Sequence, residues 1–447
     1  MQDLNLPTIK HIYFIGIGGI GISAIARMML HEGKEVSGQD MQDSEIIHEL
    51  QKAGAQITIG QSYELIDKNV DLIVYTIAIE NYDSELFKKL KEQKDIPVRS
   101  YPEMLHVVTE GKYTIAISGT HGKTTTTGMI AQILRDTNQD PTVIIGSLIA
   151  DKETKEKSNF IAGKSKYFVV EACEYKRSFL NINPNILVIT NIDNDHLDYY
   201  KDIEDIKSAF RELAMKVSEG GFVVCDPRDA KVADVVAGIR ATVVDYQKFF
   251  KQDLKLKIPG THNKKDAAAA LAVADIININ ANEAEKAVMN FPGTWRRFEF
   301  KGTLSNGAMV YDDYAHHPTE IQATLQGFRE LYSKSDGWSI TIVFQPHLFS
   351  RTKLLLNEFA QSFSLADKVM LLPIYFAREE DDGSISSEIL AKEINKYSNN
   401  AEAFFNFKSA EESLEVSIKN MDNKDILVTM GAGEAYKIGD SILKKHI

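Results

Sequence analysis

Tyr113-Thr114-Ile115-Ala116-Ile117-Ser118-Gly119-Thr120-His121-Gly122-Lys123-Thr124-Thr125 is the stretch that decides the fold class of this chain. Its first six residues form a largely apolar run rich in β-branching, which predicts a strand buried on both faces. Glycines at 119 and 122 predict a tight turn, and the residues from Lys123 to about Thr137 keep helical spacing. Gly122, Lys123 and Thr124 fit the end of a phosphate-binding loop. In such a loop backbone N–H groups cradle phosphates, the Lys123 ammonium reaches the β and γ oxygens, and the Thr124 hydroxyl can bind Mg²⁺. The full pattern wants a glycine where this chain has Ile117, so the loop is a shortened variant. A glycine turn with an exposed lysine is the plainer alternative.

On the N-terminal side the same grammar recurs. Gly16-Ile17-Gly18-Gly19-Ile20-Gly21 follows an apolar strand from His11 and precedes a helix that starts near Ile22. Its glycines allow a sharp turn and close approach of backbone to a pyrophosphate. Asp40 ends the next strand, where an acid can accept from a ribose hydroxyl. Gly16, Gly18, Gly19, Ile20, Gly21 and Asp40 therefore form a candidate nucleotide-diphosphate site, which NAD and UDP satisfy equally. A turn used only for packing is the competing reading. The segment Ile12 to Leu30 is apolar enough to suggest a membrane span, but its clustered glycines and missing basic flank favour strand, turn and helix.

Further strands are expected at Glu35–Asp40, Gln56–Ile59, Asp71–Thr76, Tyr167–Glu171, Ile186–Thr190, Gly221–Cys225, Met309–Asp312, Ser339–Gln345, Lys368–Leu372 and Asp425–Met430, with helices between. The fold class is α/β in three domains: a Rossmann-like N-terminal domain (1–105), a central P-loop ATPase domain (106–295) and a C-terminal Rossmann-like α/β domain (296–447). The polar segment Asp151–Lys166 reads as an exposed loop or ribbon, and Glu379–Gly383 as an acidic loop.

The chain has 447 residues, enough for several cores. A net charge of −12 disfavours a nucleic-acid partner, and two cysteines, Cys173 and Cys225, supply neither a disulfide framework nor a zinc pattern. These features point to a cytoplasmic protein.

Gly119-Thr120-His121-Gly122-Lys123-Thr124-Thr125 resembles the ATP loop of the Mur ligases, ATP-dependent amide-forming enzymes that add amino acids to UDP-muramoyl precursors of peptidoglycan. The resemblance runs in order through Glu171-Ala172-Cys173-Glu174-Tyr175, Thr190-Asn191-Ile192-Asp193-Asn194-Asp195-His196, Gly260-Thr261-His262-Asn263, Arg296-Arg297-Phe298, Asp312 to Pro318, Phe344-Gln345-Pro346-His347 and Gly431-Ala432-Gly433. The paired His316-His317 and the Phe-Gln-Pro-His segment with Ser350-Arg351-Thr352 are most similar to the members that add the first L-alanine, or a whole recycled tripeptide, to UDP-N-acetylmuramate. Thr190 to Asp193 favours the alanine branch.

The resemblance implies ATP and Mg²⁺ as cofactors and UDP-N-acetylmuramate and L-alanine as partners, with no nucleic acid and no membrane, in a monomer or weak dimer. It assigns Gly119 through Thr125, His262, Asn263, Arg297 and Asp313 to ATP. Thr124, Glu171 and His196 would hold metal, with Lys123, Glu171, His196, Arg297 and Asp313 catalytic. His316, His347 and Arg351 would orient the muramoyl carboxylate and alanine, guanidinium to carboxylate being the natural pair. For His317 the competing assignment is packing. One departure stands out: the family usually repeats Asn three residues after Asn263, where this chain has Asp266. An acid there repels triphosphate unless it binds metal or points away. An NAD-dependent oxidoreductase has no use for a second phosphate loop, and an inactive regulator would be expected to lose Lys123, Glu171 or His196.

Overall fold

The computed structural model describes residues 4–150, 156–196, 199–376 and 379–446. Three sheets carry the α/β architecture. The first contains β1 (His11–Ile15), β2 (Glu35–Asp40), β3 (Gln56–Ile59), β4 (Leu72–Tyr75) and β5 (Val98–Ser100), in the order β3-β2-β1-β4-β5 and parallel throughout. The second contains β6 (Tyr113–Ser118), β7 (Thr142–Ala150), β8 (Lys157–Ile161), β9 (Tyr167–Glu171), β10 (Ile186–Ile189), β11 (Phe222–Cys225) and β12 (Thr242–Asp245), in the order β12-β11-β10-β6-β9-β7-β8. The third contains β13 (Glu299–Thr303), β14 (Met309–Asp313), β15 (Ser339–Phe344), β16 (Lys368–Leu371), β17 (Ala401–Ala403) and β18 (Asp425–Met430), in the order β13-β14-β18-β15-β16-β17.

By packing, the chain divides into two compact units, residues 1–250 with 266–288 and residues 251–265 with 289–447. The first holds two sheets and the second holds one. In β6, Ile115, Ala116 and Ile117 are fully buried between neighbours β10 and β9, which is why that strand reads as an apolar run rather than an alternation. β6 runs parallel to both neighbours, with later strands laid down on either side of it, and loops at the carboxyl ends of strands at such a switch point open onto a crevice. The span suspected of crossing a membrane is β1, a turn and a helix at Ile20–His31. Among the described residues no helix is long and apolar enough to cross a bilayer.

The segment expected to be an exposed loop or ribbon is partly sheet. Lys157–Ile161 pairs antiparallel with β7, and its Asn159 is fully buried. The Asn159 Nδ2 donates to Ile20 O (2.5 Å) and Ser23 Oγ (2.8 Å), which satisfies the donor end of a side chain that burial alone would penalise. Residues 151–155 of the same segment lie outside the described residues. In the second unit, β13 adds an antiparallel edge beside β14 that the sequence pattern did not suggest.

Candidate active site

The helix Lys123–Asp136 starts directly from the glycine loop, with Gly122 as N-cap in the left-handed region and no side-chain cap. The N–H groups of its first turn are thus available to an anion. A side chain on Gly119 (φ +133°) would run into Thr190 Oγ1, and one on Gly122 (φ +82°) into the Asp266 carboxylate, so both positions demand glycine.

The loop is pinned from the side by the segment after β10. Thr120 N–H donates to Asn191 O (3.0 Å), His121 N–H to Asn191 Oδ1 (3.0 Å), and the Asn191 amide returns a bond to His121 O (2.9 Å). Asp193 N–H donates to Thr120 Oγ1 (2.8 Å), and Tyr246 OH to Thr190 O (3.0 Å). The amides of Thr120 and His121 are therefore engaged with the protein, which leaves the first helical turn as the part of the loop open to an anion. Hydrogen bonding from His121, helped by Asn194 N–H and Lys231, outweighs burial and holds the Asp193 carboxyl well below its ordinary value.

Lys123, Thr124, Glu171, Glu174 and His196 converge at the mouth. Lys123 Nζ donates to Gly119 O (2.6 Å), Thr120 O (3.0 Å) and Glu174 Oε1 (3.1 Å). Burial works against the ammonium, but Glu174 and its acidic neighbours outweigh it and raise the Lys123 pKa, so the charge is kept. Thr124 Oγ1 donates to Glu171 Oε1 (3.1 Å), and Glu171 Oε2 accepts from Gly146 N–H (2.9 Å). Glu171 ends β9, which aims its carboxylate at the loop. His196, held at φ +53°, packs its ring on Tyr175 with 4.9 Å between centroids and places Nε2 3.7 Å from Glu174 Oε1.

A hydroxyl and a carboxylate oxygen 3.1 Å apart form a hard-oxygen pair suited to Mg²⁺, which takes one or two carboxylates and fills its octahedron with water and phosphate oxygens. No larger cage is needed. Among the described residues, no group of three or more His, Cys, Asp and Glu is placed to hold a metal alone.

In the N-terminal glycine loop, Asp40 Oδ2 accepts from Gly18 N–H at 2.8 Å, so the acid braces the loop it was expected to overlook. Gly16 N–H and Ile17 N–H both donate to Gln39 O (2.8 and 3.2 Å). The helix Ile20–His31 begins at Gly19 without a side-chain cap, again presenting free N–H groups.

Asp266 is buried against Gly122. The helix that carries it, Thr261–Ile276, begins with His262 and Asn263, which belong to the second unit. Burial pushes the His262 pKa down to about 4, so the ring is neutral at pH 7 and can stack or hydrogen-bond without charge. Asn263 is buried and its amide donates to Pro259 O (2.5 Å).

Within the second unit, adjacent arginines have different fates. Arg296 is 3% exposed; its guanidinium donates to Asp312 Oδ2 (2.7 Å), Gly433 O (2.9 Å) and Gly431 O (2.7 Å) and lies over the Tyr436 ring at 4.7 Å. Arg297 is more open, 5.1 Å over Tyr314 and 3.9 Å from Glu320. Asp313 is buried and accepts from Phe298 N–H (2.7 Å), Ala315 N–H (2.9 Å) and Thr324 Oγ1 (3.1 Å), which fixes the turn that presents Arg297. Burial raises the Asp313 pKa, against the pull of Arg297 and these hydrogen bonds.

His316, His347 and Arg351 do come together: the imidazoles are 5.9 Å apart, and Arg351 Nη1 lies 3.3 Å from His347 Nδ1. Glu320 Oε2 sits 3.2 Å from His316 Nδ1, and Tyr375 stacks on His347. His317 is buried and accepts from Thr319 N–H as N-cap of the helix Pro318–Leu331.

Sequence reasoning gave no role to Glu174, Asn191, Glu320 or Tyr375. Glu320 had a signal, four residues after His316 in the first turn of a helix that Pro318 starts. Glu174 lay three residues after an expected metal ligand. Tyr375 had no local signal, because its partner comes from another loop.

Known proteins match this chain over nearly its whole length. Residues 11–113 match the Mur ligase family, catalytic domain; residues 117–249 match the Mur ligase middle domain; and residues 296–433 match the Mur ligase, glutamate ligase domain. The chain is 39% identical to the UDP-N-acetylmuramate–L-alanine ligase of Caldanaerobacter subterraneus, with all of both chains covered. It resembles the solved UDP-N-acetylmuramate-alanine ligase of Thermotoga maritima with a TM-score of 0.79 and 25% identity, covering 98% of this chain and 99% of that one. The murein peptide ligase of Psychrobacter arcticus shares the fold, with a TM-score of 0.72 and 22% identity over 97% of this chain and 98% of that one. With the phosphate loop, its carboxylates and the His-Arg cluster all carried on sequence that matches end to end, the chain belongs to the Mur ligase family.

Proposed function

We propose that the chain joins L-alanine to the carboxylate of UDP-N-acetylmuramate at the expense of ATP, in peptidoglycan precursor synthesis in the cytoplasm. The observation that carries this reading is the end-to-end 39% identity to a ligase of that name, in a chain that keeps Lys123, Thr124, Glu171 and His196 around one loop. ATP and UDP-sugar occupy the two glycine loops, and the third sheet receives the amino acid.

A carboxylate is a poor electrophile, so it must first be activated. Its oxygen attacks the γ-phosphorus of ATP, ADP leaves, and the product is an acyl phosphate. The alanine amine then attacks the acyl carbon, loses a proton, and the tetrahedral adduct expels phosphate. Lys123 and the first-turn N–H groups hold the phosphates while charge moves toward ADP. Thr124 and Glu171, with His196 at a second position, would hold Mg²⁺, which supplies charge neutralisation on the phosphate oxygens. Neutral His262 serves the adenine, Arg297 a phosphate, and Arg351 with His316 and His347 the carboxylates.

The test is phosphate release from ATP with UDP-N-acetylmuramate and Mg²⁺, offered L-alanine, the L-Ala-γ-D-Glu-meso-diaminopimelate tripeptide or no amine, with product mass as confirmation. Release that depends on alanine and gives the alanyl adduct is expected. Release with tripeptide alone makes the chain a recycling ligase, and silence with both overturns the reading.

A further inference from the structure

Glu174 is 2% exposed, and both its carboxylate oxygens lie within 3.1 Å of Lys123 Nζ. An ammonium has three protons to donate. Lys123 already spends its donors on Gly119 O, Thr120 O and Glu174, all three within 3.1 Å. It can take a phosphate oxygen only by giving one of them up. The two carbonyls belong to a loop that Asn191 fixes through three hydrogen bonds, and they are neutral. The carboxylate is the exchangeable partner, and a second anion in a buried site opposes an incoming triphosphate.

We propose that Glu174 is a positioning residue that parks Lys123 against its own loop in the nucleotide-free chain and is exchanged for the β and γ phosphates when nucleotide binds. This rests on the ATP-dependent reading above and gives that site a built-in competitor. ATP affinity is then set by the difference between two anions for one ammonium. The backbone around residue 174 is anchored separately, by Tyr200 OH on Glu174 O, so the side chain can change without freeing the segment.

The test is the affinity of the full chain for ATP, ADP and AMP with Mg²⁺, by titration calorimetry, in the parent chain, Glu174→Gln and Glu174→Asp. Removing the charge in Glu174→Gln should tighten ATP and ADP about tenfold, the scale of one ion pair relieved in a partly screened site, and leave AMP unchanged. Glu174→Asp keeps the charge but shortens its reach, so it should fall between the two, and it stands in if the Gln variant fails to fold. Weaker ATP with unchanged AMP would overturn the proposal, by showing that Glu174 supports the phosphate-bound lysine. A common change in all three ligands, or no change in any, overturns it as well. A parent chain that binds no ATP removes the functional reading itself, which separates the two failures.

Discussion

The two glycine loops of the first unit start from the same backbone plan and end with opposite chemistry. Each follows a parallel strand and opens a helix at a glycine N-cap with no side-chain cap. In the N-terminal loop the rim residue is an acid, Asp40, bonded to Gly18 N–H. In the central loop it is a lysine, Lys123, bonded to Gly119 O, Thr120 O and the Glu174 carboxylate. Backbone geometry makes both anion-ready; in the function proposed above, the rim side chain decides which part of a nucleotide each loop takes, ribose in one case and triphosphate in the other.

The strongest way to break that contrast is Lys123→Ala. Phosphate release should fall about 10³-fold, as expected when a phosphate clamp is removed, while UDP-N-acetylmuramate still binds as in the parent chain. Loss of both ligands together in a folded variant would show that the two loops are not separate sites. Glu171→Gln should cost about 10²-fold in turnover and raise the Mg²⁺ concentration needed for half-maximal rate, since one hard oxygen is lost. Asp40→Ala sharpens the other side: KM for the UDP-sugar should rise about tenfold, in line with one lost charge-assisted hydrogen bond, with KM for ATP unmoved.

The smallest effect concerns pH. His262 ionises at about 4 in the folded chain against an ordinary value of 6.5, so unfolding takes up a proton between these values. Its contribution to stability is present above pH 6.5 and is lost as pH falls toward 4. Chemical denaturation at several pH values should show that slope, and His262→Gln should flatten it.

Much of this was legible in the residues because strand, glycine turn and helix are local patterns. β6, its loop and the helix at Lys123 fall where the sequence put them. The hairpin of β7 and β8 was not legible, because Asn159 looks like any surface polar residue until Ile20 O and Ser23 Oγ, more than 130 positions away, come to meet it. Asp40 and Lys123 announced themselves as rim residues, but their partners Gly18 N–H and Glu174 depended on loop closure. The difference between Arg296, sealed under Tyr436, and Arg297 beside it was equally invisible, since neighbouring identical residues differ only in what the fold brings to them.

The buried Asn159 amide also says something about how the chain can be divided. It ties an edge of the second sheet to the helix that opens the first glycine loop. A chain cut between β5 and β6 would leave Ser23 and the Ile20 carbonyl facing solvent or nothing, and would strip cover from the apolar flank of that helix. Sheets can therefore be counted separately while melting together. The first two should protect one another from protease and hydrogen exchange as a single cooperative body, so that UDP-sugar bound to one slows exchange in the other.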